Sequence, residues 1–104
     1  MAFKIIWSLQ AREDLRDIVR FVAQHDSTVA ESLGYALISR IDSLEQFPLL
    51  GRAVPELGNQ DIREIISRPY RIIYQVFDAA RVIAVVRVWH GARGEPVIPK
   101  DPLP

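Results

Sequence analysis

Arginine is the side chain with the clearest chemical potential in this sequence, and it is concentrated in the second half of the chain. Six arginines lie between residues 63 and 93, against the acidic residues Glu64 and Asp78, and the lysines are Lys4 and Lys100. The guanidinium group offers a fixed fork of donors that fits phosphate and carboxylate, whereas the lysine ammonium is a point charge. Any one arginine alone is typical of a solvated strand position. Together they favour an anion-facing surface, with these candidate contact residues: Arg52, Arg63, Arg68, Arg81, Arg87 and Arg93.

The composition excludes several other kinds of site. The chain has 104 residues, no cysteine and two histidines, so we expect no disulfide framework, no thiolate nucleophile, no metal site and no cofactor. The glycines lack the spacing of a phosphate loop. With 49% hydrophobic and 25% charged residues, the chain has the balance of an ordinary folded domain. No apolar stretch has the length of a signal peptide core or a bilayer span, so we expect a cytoplasmic protein without a membrane partner.

A short strand and a helical hairpin are the first elements that must support these arginines. Residues 3–7 are aromatic and β-branched and predict a strand, and Ser8 after them is a favoured helix N-cap. The helix that follows has an apolar face at helical spacing, formed by Leu15, Ile18, Val19 and Val22. Thr28 and Glu31 have the spacing of a capping box and predict the start of a second helix.

The second helix is expected to end at Phe47-Pro48, because proline cannot continue it. Its apolar positions recur at helical spacing and are Val29, Leu33, Leu37, Ile41 and Leu44. Gly34 lies inside this helix at a cost of about 1 kcal/mol relative to alanine. We therefore expect Gly34 to pack closely against the first helix.

A loop and three strands complete the predicted domain. Residues 49–60 are punctuated by glycine, proline and asparagine and predict a loop, whereas residues 61–67, 70–77 and 81–89 are rich in Ile, Val and Tyr and predict strands. The turns between these strands are short and require antiparallel neighbours. In the last strand we expect the helices to cover the face formed by Val82, Ala84, Val86 and Val88.

The predicted fold is α+β with the order β-α-α-β-β-β, in which a helical hairpin packs on one face of a small, mostly antiparallel sheet. Residues 1–93 form the predicted domain. Residues 94–104 contain four prolines and are expected to form a tail that lies loosely on the surface or is partly disordered.

This order of elements resembles the RelE/ParE superfamily of toxins from type II toxin–antitoxin systems, and the local motifs resemble its ParE-like branch. The matching motifs span residues 3 to 93 and keep their order and spacing. They are Ala11-x-x-Asp14-Leu15-x-x-Ile18 on the first helix, Leu44-x-x-x-Pro48-x-x-Gly51-Arg52 at the loop, Arg63-Glu64-Ile65 on the second strand, Tyr70-Arg71-Ile72-Ile73-Tyr74 on the third, and Val88-Trp89-His90-Gly91-Ala92-Arg93 at the end of the fourth.

The resemblance implies one scaffold with two activities, since fold does not determine function. RelE-like members, including the YoeB type, cut messenger RNA on the ribosome, whereas ParE-like members are described as poisoning DNA gyrase without chemistry of their own. Both are silenced by a cognate antitoxin, with which they can form hetero-oligomers. A third possibility is an inactive module that only pairs with its antitoxin.

A catalytic set enters only through this resemblance. Glu56, Arg71 and His90 occupy positions similar to a glutamate, an arginine and a histidine that act in the YoeB-type ribonucleases. Gly91 stands where those enzymes have a tyrosine directly after the histidine, and the loop lysines of the RelE-type enzymes are absent. Glu56 could equally pair with Arg52 within the loop. The interpretation that we favour is therefore a gyrase inhibitor that binds through its arginines, with the ribonuclease as the alternative.

Overall fold

A computed structural model describes residues 2–100 and residue 103 of the chain and confirms the predicted α+β fold. The helices are α1 (Leu9–Ala23) and α2 (Ser27–Asp42), and α2 continues into a 3₁₀ turn over Ser43–Glu45. The strands are β1 (Lys4–Trp7), β2 (Arg52–Ala53), β3 (Ile62–Ser67), β4 (Tyr70–Phe77) and β5 (Val82–His90), and a second 3₁₀ turn spans Gly91–Arg93. In the described part of the chain these strands form one sheet with the order β1-β5-β4-β3-β2. β1 is parallel to β5, and the other pairs are antiparallel.

The hairpin forms largely as its sequence predicts. The Ser8 hydroxyl accepts a hydrogen bond from the backbone N–H of Ala11 (3.0 Å) and so caps α1. Gly34 does lie against α1, because a Cβ atom at this position would be 3.4 Å from Cγ2 of Val19. Gly34 therefore faces α1, at a distance that would also admit the methyl group of alanine.

Both predicted limits of the second helix are wrong. Asp26 is the N-cap in place of Thr28, because its carboxylate accepts from the backbone N–H groups of Thr28 (2.9 Å) and Val29 (3.1 Å). Aspartate caps at least as well as threonine and comes two residues earlier, so it takes this position. At the other end the α-helix finishes at Asp42, and the chain tightens into the 3₁₀ turn before it reaches Phe47-Pro48.

The sheet is covered on both faces. The main core lies between the helices and the sheet, where Leu37 and Ile41 pack with Ile72 and Tyr74 of β4. A smaller cluster on the opposite face, which we call the second cluster, contains Val54, Ile73, Val86 and Trp89. The predicted loop over residues 49–60 is not wholly irregular, because β2 within it pairs with β3.

The predicted helical face of β5 is wrong at Val86 and right at Val88. Ile83 and Val85 face the helices, whereas Val86 belongs to the second cluster. Ile73 pairs with Arg87 but Tyr74 pairs with Val85, so β5 has one extra residue at this point, which is a β-bulge. The extra residue reverses the alternation, and Val88 therefore faces the helices. Because β5 is a central strand and is apolar on both sides, its alternation carries little information about which side is covered.

The tail is docked on the sheet and does not lie loosely. Pro96 is buried, and Ile98 packs against the second cluster. The carbonyl oxygen of Val97 accepts a hydrogen bond from Nη1 of Arg87 (3.1 Å), and that of Gly94 accepts from Nε1 of Trp89 (3.1 Å). The tail thus covers apolar surface on the face opposite the helices. Residues 101, 102 and 104 of the predicted tail, like residue 1 of the predicted domain, lie outside the described residues.

Truncation after Glu95 is therefore expected to destabilise the domain. Loss of the partly buried Ile98 and of Pro96 should lower the free energy of unfolding by about 1–2 kcal/mol. In a domain of this size about 1 kcal/mol corresponds to a fall of about 4–8 °C in the melting temperature. Thermal unfolding followed by circular dichroism measures this shift. The exposed-site variant Val97→Ser is the control and should melt as the wild type does; a truncated chain that also did so would contradict the docking of the tail.

Candidate functional site

A carboxylate of β3 is the centre of the most prominent polar arrangement in the structure. The side chain of Glu64 is 0% exposed and accepts a hydrogen bond from Nε of Arg52 (2.9 Å) and another from Nε of Arg71. Arg52 is the direct cross-strand neighbour of Glu64 on β2, and Arg71 is on the adjacent strand β4. Strand pairing therefore places two guanidinium groups around one buried carboxylate, which balances its charge.

Glu56 completes this arrangement from the loop between β2 and β3. Its two carboxylate oxygens accept from Nη1 and Nη2 of Arg71, each at 2.9 Å. The hydrogen bond from Arg71 lowers the pKa of the exposed Glu56. The same bond, together with the bond to Glu64, raises the pKa of Arg71. We call Arg52, Glu56, Glu64 and Arg71 the carboxylate network.

Two of the three candidate catalytic residues are bonded to each other, and the third, His90, lines a cavity at the end of the sheet that Arg71 also lines. Arg71 and Glu56 are bonded to each other, which corrects the alternative that Glu56 pairs with Arg52. His90 pairs with Tyr70 across β4 and β5, whereas Arg71 pairs with Trp89, so the side chains of His90 and Arg71 leave the sheet on opposite faces. Nδ1 of His90 accepts from the backbone N–H of Ala92 (3.0 Å), and its ring meets Tyr70 edge-on at 5.4 Å.

Arg87 is held by α1 and only partly available to a partner. Its Nε and Nη2 donate to the two carboxylate oxygens of Asp14, at 2.7 Å and 2.8 Å. Asp14 also accepts from the backbone N–H of Val88 (3.0 Å), and its bond raises the pKa of Arg87. Asp14 belongs to a motif of the first helix, but its pairing with Arg87 could not be predicted from the sequence, because the two residues are 73 positions apart.

Arg63 supports the loop that carries the Gly51-Arg52 motif. Its Nη1 donates to the carbonyl oxygen of Gly51 (2.9 Å), and the N–H of Gly51 donates to the phenol oxygen of Tyr74 (2.9 Å). Burial raises the pKa of Tyr74. Among the described residues, Nε of Arg63 is a buried side-chain nitrogen without a hydrogen-bond partner. Arg63 is thus half-buried and mainly structural in its contacts.

The other candidate contact arginines are exposed. Arg68 lies in the turn after β3, Arg81 lies over the ring of Phe3 at 5.1 Å, and Arg93 lies over Trp89 at 4.0 Å. Arg52 keeps 62% of its side chain exposed even though it is bonded to Glu64. The exposed candidate arginines are therefore Arg52, Arg68, Arg81 and Arg93. Arg68 and Arg93 lie at the end of the sheet where Tyr70 pairs with His90, and Arg81 lies at the opposite end, where Phe77 pairs with Val82, so the four do not form a single surface. Target binding by them stays a prediction.

Two other features of the structure concern metals and membranes. Within residues 2–100 and residue 103, no group of three or more His, Cys, Asp or Glu side chains could hold a metal ion. No helix in that part of the chain is both long and apolar enough to cross a bilayer.

Comparison with known proteins agrees with this architecture. A family model described as the ParE toxin of type II toxin–antitoxin systems, parDE, matches residues 5–94. Toxin RelE2 of Caulobacter vibrioides is 31% identical over 91 residues, which are 86% of this chain and 97% of that protein. The chromosomal ParDE TA system from P. aeruginosa superposes with a TM-score of 0.69 at 18% identity, over 86% of this chain and 96% of that one. The toxin–antitoxin complex RelBE2 from Mycobacterium tuberculosis gives a TM-score of 0.59 at 16% identity, over 86% and 99% of the two chains.

Proposed function

Because this chain belongs to the ParE toxin family of type II toxin–antitoxin systems, we propose that it inhibits DNA gyrase by binding it, without catalysis, and that a cognate antitoxin neutralises it. In this proposal the exposed arginines contact the target, and the carboxylate network holds the loop and the strand that carry Arg52. The protein acts in the cytoplasm, where it meets both partners.

The state of Arg71 is the observation that carries this proposal. Cleavage of RNA by its 2′-hydroxyl needs a base for that hydroxyl, an acid for the leaving oxygen and a cation over the phosphorane. Nε, Nη1 and Nη2 of Arg71 all donate to carboxylates, and Glu56 is bound to the same guanidinium. His90 leaves the sheet on the other face, although it and Arg71 both line a cavity at the end of the sheet. This division of the three residues favours a binding role over acid–base catalysis.

Exposed apolar residues lie in the loop that leads into the network. The loop before β2 exposes Phe47, Leu49 and Leu50, which are 63%, 63% and 55% accessible. Arg52 lies two residues after Leu50 and is also largely exposed. Exposed apolar groups next to arginines are typical of the central contacts in protein interfaces.

A supercoiling assay tests the proposal. The purified chain should inhibit gyrase, and in a translating extract it should leave messenger RNA uncut. Arg68→Ala and Arg93→Ala should each weaken inhibition by about 1–3 kcal/mol where the arginine is a central contact. Arg20→Ala, which removes an exposed arginine of α1, is the matched control and should inhibit as the wild type does. Loss of inhibition to the same extent in all three variants would contradict specific recognition by Arg68 and Arg93.

The ribonuclease is the second candidate, because Glu56 and Arg71 are in contact and one relative is named Toxin RelE2. In that case His90→Ala should lower the cleavage rate by about 10²–10⁴ while ribosome binding survives. Cleavage of ribosome-bound message that disappears in this variant would overturn the gyrase proposal. A chain that affects neither replication nor translation would fit the third possibility, an inactive antitoxin-binding module.

The outer surface of the helical hairpin is the proposed antitoxin site. A groove there is lined by Trp7, Arg12, Leu15 and Ile38. Arg12 is the first of three exposed arginines at helical spacing on α1, and the others are Arg16 and Arg20. An apolar groove beside a basic stripe fits an acidic, amphipathic segment. A solved neighbour that is a toxin–antitoxin complex supports such a partner.

Co-expression with the product of the adjacent reading frame tests this site. The wild-type chain should elute with it as a stoichiometric complex on gel filtration. Ile38→Asp places a charge in the groove and should weaken the complex by about 2 kcal/mol or more, as expected for a central contact. Ser39→Asp changes an exposed neighbour and is the control. An unaffected complex in Ile38→Asp would show that the antitoxin binds elsewhere.

A further inference from the structure

The two carboxylates that hold Arg71 differ in their accessibility. Glu64 accepts from Nε of Arg71 and has a side chain that is 0% exposed. Glu56 accepts from Nη1 and Nη2, and its side chain is 30% exposed. Glu64 lies on the paired strand β3, whereas Glu56 lies in the loop between β2 and β3. Glu64 is therefore a fixed part of the sheet, and Glu56 is the carboxylate that can be exchanged.

The loop between β2 and β3 allows Glu56 to turn away from Arg71. Residues 55–60 are all exposed, and Val54 before them is buried in the second cluster and anchors the loop. The N–H of Leu57 donates to the carbonyl oxygen of Val54 (3.2 Å), which fixes the backbone on both sides of Glu56. A segment with few buried contacts opens at a low cost in free energy. Glu56 can thus leave Arg71 by rotation of its own side chain.

The carboxylate network without Glu56 is a site for an anion. Arg52 and Arg71 then carry two positive charges against the single negative charge of Glu64. The hydrogen bond from Arg71 lowers the pKa of Glu56, and the charges of Arg71 and Arg52 lower it further, so the site favours an ionised carboxylate. The bond from Nε to Glu64 keeps Nη1 and Nη2 of Arg71 directed at the bound anion. The fork of donors is therefore preorganised for two carboxylate oxygens.

We propose that Glu56 is an internal occupant of this site and that the carboxylate of an aspartate or glutamate side chain from a protein partner replaces it. The exchange keeps Nη1 and Nη2 of Arg71 bonded, so its charge never lacks a partner. Exposed Leu57 beside Glu56, and exposed Leu50 near Arg52, offer apolar surface that a protein partner can cover. That this partner is gyrase rests on the proposed function. Competition by Glu56 restrains the affinity of the chain for its partner.

Titration with sodium acetate at constant ionic strength, followed by NMR of the Arg71 guanidinium, tests the site without any partner. Glu56→Ala should bind acetate about fivefold more tightly than the wild type, because a competing, partly exposed ion pair is removed. Glu31→Ala removes an exposed glutamate of α2, makes the same change in net charge and should bind as the wild type does. The double variant with Glu56→Ala and Arg71→Lys keeps the cation but lacks the fork and should lose the gain. Equal affinity of Glu56→Ala and wild type would overturn the proposal.

Dimethyl phosphate is the matched probe, because it is a singly charged model of a nucleic acid backbone. It should bind Glu56→Ala no more tightly than acetate does. Tighter binding of dimethyl phosphate at Arg71 would overturn the choice of a protein carboxylate and indicate a nucleic acid partner.

The supercoiling assay tests whether the exchange takes place on gyrase. Glu56→Ala should inhibit gyrase at about fivefold lower concentration than the wild type, and Glu31→Ala at the same concentration as the wild type. Inhibition by wild type and Glu56→Ala at equal concentrations would exclude the exchange on gyrase and leave the proposed function intact. If none of the chains inhibits gyrase, the proposed function fails while the acetate titration still decides whether the site exists.

Discussion

Replacement of Glu64 by alanine is expected to lower the free energy of unfolding by about 3 kcal/mol, because removal of one partner leaves buried charge uncompensated. The Glu64 side chain is 0% exposed, and Arg71, which is bonded to it, is 14% exposed. Arg71 keeps Glu56 as a second partner, and Arg52 can turn to water, so the loss should lie at the lower end of the usual range for a broken buried ion pair.

Urea unfolding monitored by circular dichroism measures this loss, and the slope of the transition should stay unchanged if the native state remains compact. Glu64→Gln keeps the shape and one acceptor oxygen and should lose less than Glu64→Ala. Glu45→Ala, at an exposed glutamate, is the control and should change stability by less than about 0.5 kcal/mol. A loss below about 1 kcal/mol in Glu64→Ala would mean that water replaces the carboxylate at both arginines.

The sequence predicts well those elements whose signals are local. β4 has the predicted bounds, because its ends are set by Pro69 before it and Asp78 after it. Ser8 caps α1 as predicted, because the cap needs only the backbone of the next turn. The predicted start of α2 is wrong because the capping-box spacing favours Thr28, whereas Asp26 caps at least as well and comes two residues earlier.

Local sequence signals cannot predict features that depend on how the whole sheet assembles. Whether Ile83 or Ala84 faces the helices depends on which side of the sheet the hairpin covers, and both residues are apolar and buried. The β-bulge near Val86 cannot be predicted from the sequence, because β5 is apolar on both faces there. An extra residue in such a run does not disturb any alternation of polar and apolar side chains. The docked tail likewise depends on the second cluster, which exists only once β4 and β5 are paired.

The candidate site was predicted in part for the same reason. The concentration of arginines shows in the composition, but their partners do not. Arg71 finds Glu56 15 positions away, and Arg87 finds Asp14 73 positions away. The motif Arg63-Glu64-Ile65 shows only that a glutamate follows an arginine. The strand register is needed to show that Glu64 lies between Arg52 and Arg71.

Gly51→Ala is expected to lower the free energy of unfolding by about 3 kcal/mol, at the upper end of the cost of overpacking. A Cβ atom at this position would lie 2.4 Å from the backbone oxygen of Glu64 and 2.9 Å from Cε1 of Tyr74. The clash is with backbone, which cannot rotate away, so the loop must move. Movement breaks the 2.9 Å bonds that Gly51 makes with Tyr74 and Arg63 and leaves buried polar groups unpaired.

Gly34→Ala is the control, because a Cβ atom there meets Val19 at 3.4 Å, an ordinary contact distance. Alanine also favours the helix by about 1 kcal/mol, so this variant should be as stable as the wild type or slightly more stable. The pair separates a steric requirement for glycine from a general intolerance of added methyl groups in the core. Equal stability of Gly51→Ala and wild type would show that the loop before β2 can move without cost. The close approach of Gly51 to Glu64 would then not be needed to position the carboxylate network.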